Sequence, residues 1–345
     1  MKQKITILDT DIGNDIDDTW ALGLFLKTPE IFPALVLSCS GDTEYRAAVA
    51  AAFLDRTGYR EVPVGVGLRR MDGEPKIVES LHEWLAGYSL GDYPGRVVQD
   101  GIGEAISIME NAEEISVIGI GPMTNLAEIC RRRPDLTKKC RLTAMAGSLR
   151  KNFRDCPGQI KEYNIVTDLP AAQTVFRTKW KTFTLTPLDH CGNIVLSGEE
   201  YRQMRSADGC IAREIIASYH AWLTFGGNPS DGMEQESSIL YDTAAVHLAA
   251  SDRFTRFEQW KLTVDDSGFL RPSENGMPVR VAMNWNDFGA YRRELLAKLA
   301  PSIESEKPQI ENNGILQEGI REVSHEKQPF ENSCMDLAHE NKEYA

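Results

Sequence analysis

Apolar positions along the chain fall into two alternating patterns. Short continuous runs, at residues 5–8, 34–39, 62–66, 115–120, 142–145 and 183–185, have the length and β-branched content of buried strands. Between them lie stretches with helical spacing. One begins at Trp20, an alanine-rich one spans 44–57, and others cover 101–111, the segment after Pro122, a start near Asp168, parts of 197–225, 241–248 and 286–299. Strands that alternate with helices predict an α/β fold: a single domain with a mostly parallel central sheet, helices on both faces and a Rossmann-like core. Residues 257–283 instead alternate around Asp265-Asp266-Ser267-Gly268, which predicts a short hairpin and a closing strand near the C-terminal end.

In such sheets ligands bind at the carboxyl ends of the strands. Polar turns occur there repeatedly, at Asp9 and Asp11, at Asp42, at Gly121 and at Gly147. Residues 68–99 are irregular and carry three aromatics that read as exposed, Trp84, Tyr88 and Tyr93. A loop of that length in a compact domain is usually functional. The glycine-rich stretch 225–232 reads as a flexible loop. From Pro301 the chain is polar, acidic and poor in periodic apolar residues, so the organisation expected is a catalytic domain over 1–300 and a disordered or loosely attached tail over 301–345.

Bulk composition narrows the partners. A hydrophobic content of 42% in 345 residues supports a substantial core. A net charge of −13 argues against nucleic acid or an anionic membrane as partner. No apolar run is long enough to span a bilayer, and Met-Lys-Gln-Lys leads directly into the first strand without the pattern of a signal peptide. Seven scattered cysteines, with no Cys-x-x-Cys pair, read as reduced and mostly buried thiols of a cytoplasmic protein.

The most informative stretch is Asp9-Thr10-Asp11-Ile12-Gly13-Asn14-Asp15-Ile16-Asp17-Asp18, which joins the first strand to the first helix. A helix N-terminus favours anions, but five carboxylates in one turn repel one another. A divalent cation relieves that repulsion, and all-oxygen ligands suit calcium or magnesium. Three readings follow from the residues alone. One is a solvated acidic turn. An EF-hand fails, because its glycine and glutamate positions hold Asn14 and Trp20. A phosphatase of the haloacid-dehalogenase type would use Asp9 as nucleophile, Asp11 as acid and Asp265-Asp266 as magnesium ligands.

The same string resembles the opening of the inosine-uridine-preferring nucleoside hydrolases, Asp-x-Asp-x-Gly-x-Asp-Asp after the first strand. Three residues, Asn14, Asp15 and Ile16, separate Gly13 from the aspartate pair where the common pattern has one. Further points of resemblance are residues 118–127, Met145-Ala146-Gly147, Glu162-Tyr163-Asn164 and Tyr241-Asp242, over roughly residues 4–299. The resemblance implies cleavage of ribonucleosides to base and ribose with a calcium-activated water. Calcium would be held by the carboxylates of Asp11, Asp18 and Asp242 and the backbone oxygen of Ile120, with Asp11 also the general base. Asp17 would hold the ribose 2′-hydroxyl, and Glu162 and Asn164 the 5′ and 3′ hydroxyls. Met145 would line the sugar pocket, and Asp42, beside the calcium turn where many members carry Asn, would join the substrate-binding set. Tyr241 stands where many members have a proton-donating His, and His220 is an alternative proton source. The partner implied is a small nucleoside, and the assembly a homo-oligomer, dimer or tetramer. Each residue also has a plainer reading: Glu162 as a surface helix start, Met145 as core, Asp242 as a helix cap, and the whole as a silent binding module.

Overall fold

The computed structural model describes residues 3–69, 79–225 and 235–301. The expected tail, from residue 302 onward, and most of the glycine-rich stretch 225–232 lie outside the described residues, as do residues 70–78 of the long irregular segment. Among the described residues ten strands form one sheet: β1 (Lys4–Thr10), β2 (Ile31–Ser38), β3 (Val64–Gly65), β4 (Val97–Val98), β5 (Ile115–Gly119), β6 (Cys140–Met145), β7 (Thr182–Thr186), β8 (Thr255–Val264), β9 (Leu270–Pro272) and β10 (Met277–Trp285). Their spatial order is β4-β3-β2-β1-β5-β6-β7-β10-β8-β9. All neighbours from β4 to β10 pair parallel, and β8 joins β10 and β9 antiparallel. The mostly parallel sheet and the C-terminal hairpin therefore both form.

The chain runs outward from β1 through β2 and β3 to β4, then returns to place β5 on the other side of β1. This reversal opens a crevice at the carboxyl ends of β1 and β5, where α/β sheets bind ligands. The residues after those ends are Asp11 and Ile120.

Helices cover both faces. One apolar cluster packs helices Asp17–Lys27, Thr43–Thr57, Cys210–Thr224, Tyr241–Ala250 and Phe288–Leu299 on one side, and a second packs Gly101–Asn111, Thr124–Arg132 and Leu169–Arg177 on the other. Residues 17–26 of the helix Asp17–Lys27 are all buried, as are 242–249 of Tyr241–Ala250. A helix buried on every side has no polar face to orient it. These two are fixed by packing against each other, which sets their N-terminal turns side by side.

The aromatics of 79–99 are not exposed as their loop context suggests. Tyr93 is buried with its hydroxyl donating to Val62 O at 2.7 Å, Trp84 lies under the Arg56 guanidinium at 4.3 Å, and the Tyr88 hydroxyl donates to Asp55 at 3.3 Å. Small alanines along Thr43–Thr57 leave apolar surface that these rings cover. Cys39, Cys130, Cys140 and Cys191 are buried and unpaired, and Cys156 and Cys210 are exposed. Among the described residues no helix is long and apolar enough to cross a membrane.

Candidate active site

The turn after β1 is held open by its own chain and by a buried cation. Gly13 has φ +99°, and a Cβ there would meet the Tyr45 ring at 2.9 Å, so only glycine fits. The Arg46 guanidinium, 4% exposed, donates to Ser40 O at 2.7 Å, to Ile12 O at 3.3 Å and to Asp11 O. Backbone oxygens of Gly13 and Asn14 accept from Ser80 Oγ at 3.1 and 2.6 Å, and Asn14 O also accepts from Trp222 Nε1 at 3.1 Å. The residues that lengthen this turn relative to the common pattern are thus anchored from two other elements.

Asp17 and Asp18 occupy the first turn of Asp17–Lys27, and Asp242 the first turn of Tyr241–Ala250. The two helix N-termini meet. Asp17, Asp18 and Asp242 are all buried, and one oxygen of each lies within 4.8 Å of the others. The backbone N of Asp242 donates to Asp17 Oδ2 at 3.2 Å, and Thr10 Oγ1 donates to Asp18 Oδ1. Desolvation raises all three carboxyls well above their usual range, and their mutual charges and that of Asp11 add to it. Three buried carboxylates with helix dipoles behind them form a hard, all-oxygen donor set, which fits a calcium or magnesium ion. The Asp242 side chain caps nothing, because the helix is entered from Leu240.

A cavity of about 280 Å³ opens onto this cluster, and Asp11, Ile120, Met145, Glu162, Asn164 and Tyr241 also line it. Glu162 is 5% exposed, so it is not a surface helix start. It caps the short helix Tyr163–Val166, accepting from Asn164 N at 2.8 Å, Ile165 N at 3.3 Å and Gly147 N at 2.8 Å. Burial pushes its carboxyl up to about 7 against those three donors. The Asn164 amide nitrogen donates to Ile120 O at 3.0 Å and Met145 O at 3.1 Å, which links the ends of β5 and β6. Met145 belongs both to the core and to the cavity wall. Gly121, next to Ile120, admits Asp11 closely, since a Cβ there would lie 2.7 Å from Asp11 Oδ1.

Three residues that the sequence singles out, Asp42, Asp9 and His220, fall elsewhere. Asp42 is outside the cavity lining: its carboxylate accepts from Glu44 N and Tyr45 N, both at 3.1 Å, and pairs with Arg69 at 3.0 Å. A carboxylate beyond the end of β2 is thereby spent on capping Thr43–Thr57. Asp9 is fully buried beneath the site, where Asn125 Nδ2 donates to it at 2.7 Å and ties it to Ser38 O at 2.9 Å. Burial pushes its carboxyl up to about 7. A nucleophile sealed from the cavity removes the phosphatase reading. Asp265 bonds Ser267 N and Phe269 N, both at 2.9 Å, in the hairpin turn. His220 is exposed and is not among the described lining residues.

The cavity also takes Asn14, Asp15, Phe153, Tyr163 and Leu188, which sequence reasoning did not assign. Phe153 is 46% exposed and meets Tyr241 edge-to-face, ring centroids 6.0 Å apart. A lone Phe within the polar stretch 150–158 is the one signal that could have marked it. Tyr241 is half-buried, and desolvation followed by the charges of Asp17 and Asp15 raises its phenol. That makes it a weaker proton donor than an ordinary tyrosine and leaves its ring as its main asset.

The family model described as inosine-uridine preferring nucleoside hydrolase matches residues 6–298. The non-specific ribonucleoside hydrolase RihC of Klebsiella pneumoniae (strain 342) is 31% identical over 260 residues, 72% of this chain and 80% of that protein. A probable uridine nucleosidase 1 of Oryza sativa subsp. japonica is 23% identical over 274 residues, 76% of this chain and 81% of its own. The fold is shared with a plant nucleoside hydrolase, the PpNRh1 enzyme, at a TM-score of 0.71 and 21% identity, covering 87% of this chain and 99% of that one.

Proposed function

The chain belongs to the inosine-uridine preferring nucleoside hydrolase family, and from that premise we propose that its cavity hydrolyses the N-glycosidic bond of ribonucleosides with a calcium ion held by Asp17, Asp18 and Asp242. The observation that carries this reading is the meeting of those three buried carboxylates beside Asp11 in one cavity with Glu162 and Asn164. Asp11 and Ile120 line the same cavity and are the further oxygen donors that the family resemblance assigns to the set.

A bound calcium ion would supply Lewis-acid activation of water and orientation of the ribose diol. The remaining work falls to side chains. Asp11 takes the proton of the attacking water as general base. Asp17 accepts from the 2′-hydroxyl. Asn164 spends its amide hydrogens on Ile120 and Met145, so it meets the 3′-hydroxyl with its oxygen, as an acceptor. Glu162, its carboxylate fixed by three backbone N–H groups, faces the 5′ end. As the C1′–N bond breaks, positive charge grows on the ribosyl ring, and the surrounding carboxylates stabilise it. Met145 packs against the sugar. Tyr241 and Phe153 supply the aromatic wall for the base.

Location in the cytoplasm and assembly as a dimer or tetramer belong to the same reading. Ribose release from a panel of purine and pyrimidine nucleosides tests it. Asp11→Ala is expected to reduce turnover by at least about a hundredfold, as loss of a general base does. Tyr241→Phe, compared on inosine and on p-nitrophenyl riboside, separates a hydrogen-bonding phenol from a ring that only stacks. A selective loss on inosine marks the former, and equal rates the latter. Asp11→Ala with undiminished turnover overturns the assignment.

A further inference from the structure

The cavity carries more negative charge than its metal set requires. Six of its lining residues are carboxylic acids, Asp11, Asp15, Asp17, Asp18, Glu162 and Asp242, and none of the described lining residues is Lys, Arg or His. A divalent ion at Asp17, Asp18 and Asp242 offsets two charges. Of the acids outside the metal set, Asp15 is the one with no role in the hydrolase reading above. It sits in the lengthened turn, exposed at the mouth, its Oδ1 accepting from Ile16 N at 2.7 Å. The flanking chain is pinned by Ser80 and Trp222, so this carboxyl has a fixed place.

At the same mouth the aromatic pair Phe153 and Tyr241 presents ring surface, with Phe153 46% exposed. Phe153 is held there by an unusual backbone. Arg154 and Asp155 have φ of +53° and +61°, and the turn is tied by Arg154 N to Gly192 O at 2.8 Å and by Asn193 Nδ2 to Asp155 at 2.6 Å. The nearest cation of this turn, Arg154, is engaged with Glu236 at 2.8 Å. A carboxylate beside aromatic faces is a receptor for a flat cation.

We propose that this cavity prefers ribosides whose base carries a fixed positive charge, namely N-ribosylpyridinium and N7-alkylated purine ribosides, over their neutral counterparts. The proposal rests on the hydrolase reading above and names its substrate class. The chemistry agrees with the lining. In such a riboside the C1′–N bond breaks with its electron pair passing to the ring nitrogen, which leaves as a neutral base. Water forms the new C1′–O bond and gives its proton to Asp11 and then to solvent. No proton has to reach the leaving group, so no acid is needed where Tyr241 stands.

The test compares 7-methylguanosine with guanosine, and the riboside of 3-carbamoylpyridinium with uridine, by ribose release at about pH 6, where 7-methylguanosine keeps its N1 proton and its positive charge, in the calcium-loaded full chain. The parent is expected to give the higher kcat/KM on each cationic member. That alone also reflects their weaker glycosidic bonds, so the deciding readout is the cationic-to-neutral ratio in variants. Asp15→Asn should lower the ratio by about five- to tenfold at low ionic strength, an effect that shrinks in 1 M salt. Phe153→Leu should lower it by about two- to fivefold. A competition experiment, inhibition of uridine turnover by the cation 1-methylnicotinamide, should weaken in Asp15→Asn in the same proportion. An unchanged ratio in Asp15→Asn, or a parent that prefers the neutral members, overturns this proposal and leaves the hydrolase reading standing. Ribose release from none of the four substrates overturns both.

Discussion

Removing the ion should expose how much the fold depends on it. Take two carboxylates 4.8 Å apart, the outer limit of the Asp17, Asp18 and Asp242 cluster. At the effective dielectric that suits buried protein sites they repel by roughly 3 to 4 kcal/mol. Three such pairs sum to about 10 kcal/mol, comparable to the whole stability of a domain. Burial and this repulsion both raise the three carboxyls, so the ion-free cluster holds protons to higher pH than ordinary aspartates do. Two consequences follow. An ion present at a thousandfold its dissociation constant stabilises by about 4 kcal/mol, so chelation of a domain of this size should lower Tm by about 5 to 8 °C. Calcium added to chelated protein at pH 6 to 7 should also release protons. The sign of the pH dependence follows as well. A carboxyl raised on folding stabilises at low pH, and that contribution is lost as pH rises through its folded value. Chelated protein should then melt higher at pH 6 than at pH 8, and calcium-loaded protein should not. Differential scanning calorimetry on parent and Asp18→Asn provides the assay. The variant deletes two of the three repulsions and keeps an oxygen for Thr10, so without calcium it should match or exceed the chelated parent, but gain little from calcium. An equal calcium shift in parent and variant would refute this reasoning.

Three further outcomes are expected. Arg46→Met leaves the carbonyls of Ser40, Asp11 and Ile12 without this donor, and should cost about 3 kcal/mol or more in urea unfolding and weaken calcium binding measured by titration. His190, stacked on Trp285 at 3.9 Å between Thr186 and Thr255, is pushed down to about 3 by burial, then by His247. Its folded form stays neutral while the unfolded chain protonates below about 6.5, so it removes up to about 5 kcal/mol between pH 6.5 and 3, and His190→Gln should flatten the acid limb of stability against pH. Truncation after Ala300 should keep most of the ribose release, and loss of folding or turnover would show that the tail docks on the domain.

Much of the site was legible because its local chemistry is unusual. Asp11, Asp17 and Asp18 stand out as carboxylates crowded at a strand-to-helix junction, and the parallel sheet follows from alternating apolar runs. Asp242 could be tied to them only through family resemblance, since nothing in its own surroundings points 225 positions back along the chain to Asp17. The packing of two fully buried helices makes that link, and buried helices carry no amphipathic signal. Asp42 stands outside the cavity lining because a carboxylate after a strand serves equally as a helix cap. Arg46 lay hidden in an alanine-rich helix, and its role appears only where the turn folds over it. Trp84 and Tyr88 sit in loop sequence yet cover a helix, which no local pattern reveals.

Cation-dependent cleavage at Asp11, Asp17, Asp18 and Asp242 is tested most directly by one titration. Protein stripped of metal by a chelator is returned to calcium in steps, with ribose release and bound metal measured on the same samples. Stripped protein should release no ribose from uridine or inosine, and activity should return in proportion to calcium up to one ion per chain. Full turnover in protein shown by elemental analysis to hold no divalent metal would contradict it.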